Sequence, residues 1–194
     1  MSSPKVITFN SKSSNNFLLS NFYGGCETCY MKDRFNNNEV KLLFDDFETC
    51  DHEKFIYYLK ELQPKKKWTD AKLNYWFKEI DGEKKPIRGI LSKLVGNSVK
   101  DTPITKQRLK IIKKMANIDG ELDIKPYMSD TQKKELMLNC LRTKFSNKIY
   151  RDELLKTDNA ILHERPMRGK GDNWTFPGGD WLGQLLMKVR EEIQ

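Results

Sequence analysis

A mostly helical α+β fold, built as one domain, is what this sequence predicts. Three observations predict it. Apolar residues recur at helical spacing in several windows, β-branched runs are few and short, and no repeat or βαβ series is visible. The 194 residues suffice for one domain with a real core. A hydrophobic content of 38% and an aromatic content of 11% suit a folded chain rather than a disordered one.

Taken in order, residues 1–4 are expected to be disordered, and Lys5–Phe9 (KVITF) is a first strand. A polar turn, SKSSNN, precedes FLLSNFYGG, where Ser20 and Asn21 interrupt an apolar run as a turn or a binding feature. Gly24–Asn38 reads as a surface loop and Glu39–Phe44 (EVKLLF) as a strand. Thr49–Leu62 (TCDHEKFIYYLKEL) is the stretch around which the rest is organised: a loop-like start, then an aromatic helix. Glu53 and Lys60 are seven residues apart on it, close to two turns, and so project from one stripe. With Phe55, Ile56, Tyr58 and Leu59 seeking the core, that pair is an acid/base couple or a salt bridge.

QPKKKWTD breaks the chain, with Thr69 as an N-cap, and Leu73, Trp76, Phe77 and Ile80 give Asp70–Ile80 helical spacing. A helix over Ile87–Val95 ends at Gly96 and Asn97. Ile104–Ala116 is amphipathic: Lys106, Lys110, Lys113 and Lys114 gather opposite Leu109, Ile112 and Met115. Asn117–Met128 connects to a helix capped by Ser129 or Asp130, whose apolar stripe is Leu136, Met137, Cys140, Leu141 and Phe145. A short helical piece (Asp152–Lys156), a brief strand (Ala160–Leu162), a glycine-rich loop (Arg165–Gly179) and a helix over Trp181–Ile193 complete the chain.

The formal charge of +8, from 35 Lys and Arg against 27 Asp and Glu, favours an anionic partner, nucleic acid or nucleotide phosphates. The lysine face of the Ile104 helix, with the Pro64–Lys67 run, is the predicted nucleic-acid contact. No apolar run approaches the ~20 residues of a membrane span, and the N-terminus lacks the apolar core of a signal peptide. A soluble intracellular protein, cytoplasmic or nuclear, is expected. Cys26, Cys29, Cys50 and His52 offer a zinc-like ligand set, against which reduced incidental thiols are the default; no metal and no cofactor are expected. P-loop, dinucleotide-binding, zinc-protease and serine-hydrolase motifs are absent. With histidine only at positions 52 and 163, catalysis must rest on Glu, Asp, Lys and Tyr.

A series of segments then points to a family: SNFY (Ser20–Tyr23), Glu53 with Lys60, KFSN (Lys144–Asn147), LLKTDNAILHE (Leu154–Glu164), Asp172 with Trp174, and GGDWLGQLLMKVRE (Gly178–Glu191). In that order the chain resembles the NADAR, or YbiA-like, family over Phe9–Ile193. It departs from the family in having Asp180 where Asn is usual, and in Asp172 lying two residues before Trp174 with Thr175 replacing a glycine. The resemblance implies a NADAR-like domain over 1–194 that hydrolyses a ribose linked through an amine. The substrate would be ADP-ribose on guanine in nucleic acid, or a ribosylaminopyrimidine phosphate of the riboflavin pathway; a non-catalytic ADP-ribose-binding module is the third reading.

Under this resemblance Lys60 is the nucleophile and Glu53 the proton shuttle. Burial would lower the Lys60 pKa, while an ionised Glu53 would raise it. Asn21 and Phe22 line the ribose or base, Arg168 and Lys170 hold phosphates, and Glu164 binds a sugar hydroxyl or caps the loop. Asp172 and Asp180 belong to the substrate-binding set. Trp174 and Trp181 stack on substrate or pack in the core, the latter favoured for Trp181. Lys144 pins its helix to a loop, a structural role.

Overall fold

The computed structural model describes residues 4–97, 103–167 and 169–194. The contacts of the chain gather into two compact units, residues 1–26 with 128–194 and residues 27–127. Both are mainly helical, with short strands. Among the described residues no helix is long and apolar enough to cross a membrane.

The first unit carries strands β1 (Val6–Phe9) and β4 (Ile161–Glu164), paired in parallel with Val6 opposite Ile161 and Phe9 opposite Glu164. Helix α7 (Asp130–Ser146) begins at a capping box, in which Ser129 and Gln132 satisfy each other's backbone N–H. It packs on α9 (Trp181–Ile193), which covers β4, and on α8 (Lys148–Leu155), which meets the 3-10 turn Phe17–Leu19. Gly183 sets the closeness of α9 and β4: a Cβ there would lie 2.1 Å from the Leu162 carbonyl oxygen. Phe9, Leu19, Leu141, Phe145, Leu162 and Leu186 fill this core.

The second unit holds most of α1 (Cys26–Lys32), then α2 (Asn38–Thr49), α3 (His52–Glu61), α4 (Asp70–Asn74), the β2–β3 hairpin (Phe77–Ile80, Glu83–Pro86), α5 (Gly89–Gly96) and α6 (Pro103–Met115). An aromatic train runs through it. Phe35 meets Phe44 at 5.8 Å, Phe44 meets Phe47 at 5.9 Å, and Phe47 meets Tyr58 edge-on at 5.0 Å between ring centroids.

Three sequence expectations are corrected here. Glu39–Phe44 is helical, because Val40, Leu43, Phe44 and Phe47 form one buried stripe at i, i+3, i+4 and i+7 of α2. The expected loop over Gly24–Asn38 contains α1, whose Tyr30 and Met31 are buried. The Asp70–Ile80 helix stops at Asn74, and Phe77–Ile80 turns back as a hairpin through Asp81 and Gly82, both at positive φ. Of residues 1–4, expected to be disordered, the first three lie outside the described residues.

Candidate active site

Ser20 ends the 3-10 turn, and its backbone N–H bonds the Phe17 carbonyl. From there the side chains of three remote segments meet. Lys144, in the last turn of α7, donates from Nζ to the Ser20 carbonyl oxygen at 2.7 Å. The Ser20 hydroxyl donates to Glu164 Oε1 at 3.0 Å. Ser20 thus carries an amine on its backbone and a carboxylate on its side chain. Half-exposed Asn21 is next to it, with Oδ1 at 3.5 Å from the same hydroxyl. Ser20 is 0%, Lys144 2% and Glu164 7% exposed.

Burial pushes the Lys144 pKa down to about 8, against the opposing pull of Cys26 and Glu164. The ammonium also lies 5.0 Å from the Phe145 ring centre and 5.2 Å from that of Tyr150. Gly24 admits this lysine: at φ 67° it takes a left-handed turn, and a Cβ there would stand 2.8 Å from Lys144 Cγ. Tyr23 closes the side of the turn, its hydroxyl donating to the Ser11 carbonyl at 2.7 Å. Burial and the neighbouring Tyr150 raise the Tyr23 pKa.

Strand alternation sends His163 to the other face of β4 from Glu164. His163 Nδ1 meets Asp180 Oδ2 at 2.7 Å, and its ring stacks on Phe176 at 4.1 Å. Asp180 adopts φ 52° directly before α9 and is buried, favourably placed for a carboxylate at a helix N-terminus. Its Oδ1 has no hydrogen-bond partner among the described residues.

The Arg165–Gly179 loop is organised by Asp172. Its Oδ1 accepts from the Trp174 N–H at 2.9 Å, and its own N–H donates to Thr175 Oγ1 at 3.0 Å. Asp172 therefore shapes the loop from an exposed position. Trp174 and Trp181 meet edge-on at 5.1 Å, and Lys134 lies 4.4 Å from the centre of the Trp181 ring. Both tryptophans are half-buried, and Phe22 is half-buried at the turn. Lys170 is exposed, and Arg168 lies outside the described residues.

Glu53 and Lys60 do share a stripe of α3, but it is the solvent face. Phe55, Tyr58 and Leu59 occupy the buried face, and neither Glu53 nor Lys60 has a polar partner among the described residues. The expected burial of Lys60 is thus corrected: seven-residue spacing places two groups on one line, while the position of Phe55 and Leu59 decides which way that line faces. The ion pair on α3 joins Lys54 to Asp46 at 2.7 Å, and the Tyr58 hydroxyl donates to the same carboxylate. On α6, Lys106, Lys110 and Lys114 are exposed and Lys113 is half-buried, so the predicted basic face is present.

Sequence reasoning missed a second polar cluster in residues 27–127. Thr28 Oγ1 lies 2.6 Å from Ser92 Oγ and hydrogen-bonds Glu48, whose pKa burial raises. Glu27, 0% exposed, pairs with Lys93 at 3.4 Å. The signal was there in Cys26–Tyr30, where Glu27 and Thr28 stand inside a run of core-seeking residues.

Among the described residues, no three His, Cys, Asp or Glu side chains gather as metal ligands. Of the cysteine and histidine set, Cys50 Sγ donates to the Phe47 carbonyl, Cys26 Sγ lies 3.5 Å from Met137 Sδ, and His52 stacks on Phe77. Cys29 is disulfide-bonded, which corrects the expectation of reduced thiols throughout. No family model matches the chain, and no curated protein or solved structure matches it.

Proposed function

We propose that this protein is an N-glycosidase that hydrolyses an amine-linked ribose, removing ADP-ribose from guanine bases in nucleic acid. One observation carries the reading. The NADAR-like segments SNFY, KFSN and LLKTDNAILHE, far apart in sequence, meet at the Ser20–Lys144–Glu164 cluster, and GGDWLGQLLMKVRE meets the opposite face of the same strand, where Asp180 contacts His163.

The reaction suits an amine that is partly neutral. The nitrogen lone pair forms a C1′=N bond as C1′–O4′ breaks and O4′ takes a proton. A neutral lysine adds to C1′, and the guanine leaves with a proton, which forms a lysine imine. Water then adds to the imine, releases ADP-ribose and restores the lysine. With a pKa of about 8, Lys144 is about one-tenth neutral at pH 7, against about one part in 2,500 for an ordinary lysine near 10.4. We assign Lys144 as the reacting amine and Glu164 as the carboxylate that handles its protons. Lys60 and Glu53, on the solvent face of α3, are the alternative pair.

The net charge of +8 and the lysine face of α6 favour a nucleic-acid substrate over a riboflavin-pathway intermediate. The test is release of ADP-ribose from ADP-ribosyl-guanosine, compared with cleavage of a ribosylaminopyrimidine phosphate, followed by mass spectrometry. Borohydride added during turnover should trap an adduct on Lys144. An adduct on Lys60 instead returns the chemistry to α3. Cleavage of the pyrimidine alone makes this a small-molecule enzyme, and cleavage of neither substrate sinks the reading.

A further inference from the structure

Within residues 27–127, the end of α3 and helix α6 enclose a cavity of about 300 Å³, the small end of ligand-binding sites and room for one nucleoside-sized group. Its floor is apolar, formed by Leu62, Pro64 and Ile111. Its rim is cationic, with Lys65, Lys66 and Arg108, and no carboxylate lines it among the described residues.

Arg108 is held there with part of its fork unused. Its Nε donates to the Leu62 carbonyl at 3.2 Å and its Nη1 to the Leu94 carbonyl at 3.2 Å, which leaves Nη2 without a partner among the described residues. Burial lowers the pKa of this guanidinium, as it does for a cation short of counter-charge. Lys66 lies 4.1 Å from the centre of the Trp68 ring, which fixes where its ammonium sits. The Gln63 Nε2 is buried and has no partner among the described residues, although a buried amide ordinarily has one. Lys106 and Lys110, both exposed on α6, extend the positive surface beyond the rim.

A flat basic face would suit the phosphates of a duplex. A concave apolar floor inside a basic rim suits a strand whose bases are unstacked and can enter. We propose that this cavity takes one nucleotide of a single-stranded nucleic acid. The base or sugar lies against Leu62, Pro64 and Ile111, and the phosphate pairs with Lys65, Lys66 and the free arm of Arg108. The Gln63 amide supplies a donor to the base. The inference rests on the nucleic-acid half of the proposed function and deepens it, since it names the residues that hold the substrate strand.

The test is fluorescence anisotropy with labelled, unmodified oligothymidylate and a duplex of equal length, so that no glycosidase activity is needed. The single strand should bind more tightly. The double variant Lys65→Glu/Lys66→Glu should weaken it at least tenfold and flatten the dependence of log K on log salt by about 0.7 for each phosphate no longer neutralised. Ile111→Trp, which fills the cavity without changing charge, should weaken it at least fivefold with the circular dichroism melt intact; Ile111→Glu is the second probe. The double variant Lys148→Glu/Arg151→Glu, the same charge change on α8, should leave affinity within twofold. Equal losses from this α8 double variant and the Lys65/Lys66 reversal would reduce the effect to overall charge. Full affinity in both Ile111 variants, or a duplex that binds as tightly as the single strand, would overturn the base-holding cavity. Turnover of free ADP-ribosyl-guanosine, measured in parallel, reports on the glycosidase reading alone.

Discussion

Two lysine–glutamate combinations in this molecule, Glu53 with Lys60 and Lys144 with Glu164, are placed in opposite ways. On α3, Glu53 and Lys60 come from one helix and point to solvent. Around Ser20, Lys144 and Glu164 come from segments far apart in sequence and are enclosed. Solvent surrounds the first two, which do not bond each other, and even an ion pair formed at such exposure contributes only ~0–1 kcal/mol. Burial changes the second pair chemically, because an ammonium stripped of water gives up its proton more readily. A shared stripe in the sequence is thus a weaker sign of chemistry than a shared enclosure.

The largest effect expected is from Lys144→Met. It removes the proposed reacting amine at similar volume, and kcat on ADP-ribosyl-guanosine should fall at least ~10³-fold, while Lys60→Ala stays within twofold. Inactivity of a folded Lys60→Ala with an active Lys144→Met would invert the comparison. Glu164→Gln keeps shape but not charge and should lower kcat by ~10²-fold, the scale of a proton-handling group. Unchanged kcat would leave Glu164 as a mere partner of Ser20.

A smaller effect sharpens the same contrast through pH. The folded pKa of Lys144, about 8, lies below the ordinary lysine value, so between about pH 8 and 10.4 the unfolded chain binds the extra proton. Wild-type stability should therefore rise with pH across that window relative to Lys144→Met, and turnover should rise through about pH 8. A flat difference in denaturant midpoint across the window would remove the enclosure argument. Gly183→Ala drives a Cβ into the Leu162 carbonyl and should cost roughly 1–3 kcal/mol, read by urea unfolding. Ser129→Ala, which removes a helix cap remote from either pair, should cost about 1 kcal/mol and leave kcat unchanged.

Much of the fold was legible where the signal is local. Helix α9 matches its expected span, and α3, α6 and α7 announce themselves through caps and period. The failures have local causes too. EVKLLF is too short a window to distinguish strand from helix, and only Phe47 beyond it completes the stripe of α2. Leu73, Trp76, Phe77 and Ile80 imitate helical spacing while Asp81–Gly82, a hairpin signal, sits directly after them. The candidate site is legible in some of its parts: the sequence singles out Asn21, beside Ser20, and Glu164, within the buried cluster, while Asp180 meets His163 on the other face of β4. The sequence reads Lys144 as a pin, and it does tie α7 to the Ser20 turn. What its own segment could not carry was its desolvation, which depends on Gly24, Tyr150 and Ser20 arriving from elsewhere.

The parallel pairing of β1 with β4 has a consequence in time. Residues 27–127 form a compact unit continuous in sequence, so much of its internal packing can form as it emerges during synthesis. Strand β1 and Ser20 emerge earlier and finish later: the Ser20–Glu164 bond alone waits for a residue 144 positions downstream. Closing so long a span costs little more entropy than closing half of it, about 0.6 kcal/mol per doubling, so the delay weighs on order rather than on stability. A segment made before residues 27–127 is among the last to be put in place, and the proposed chemistry is assembled only when it is.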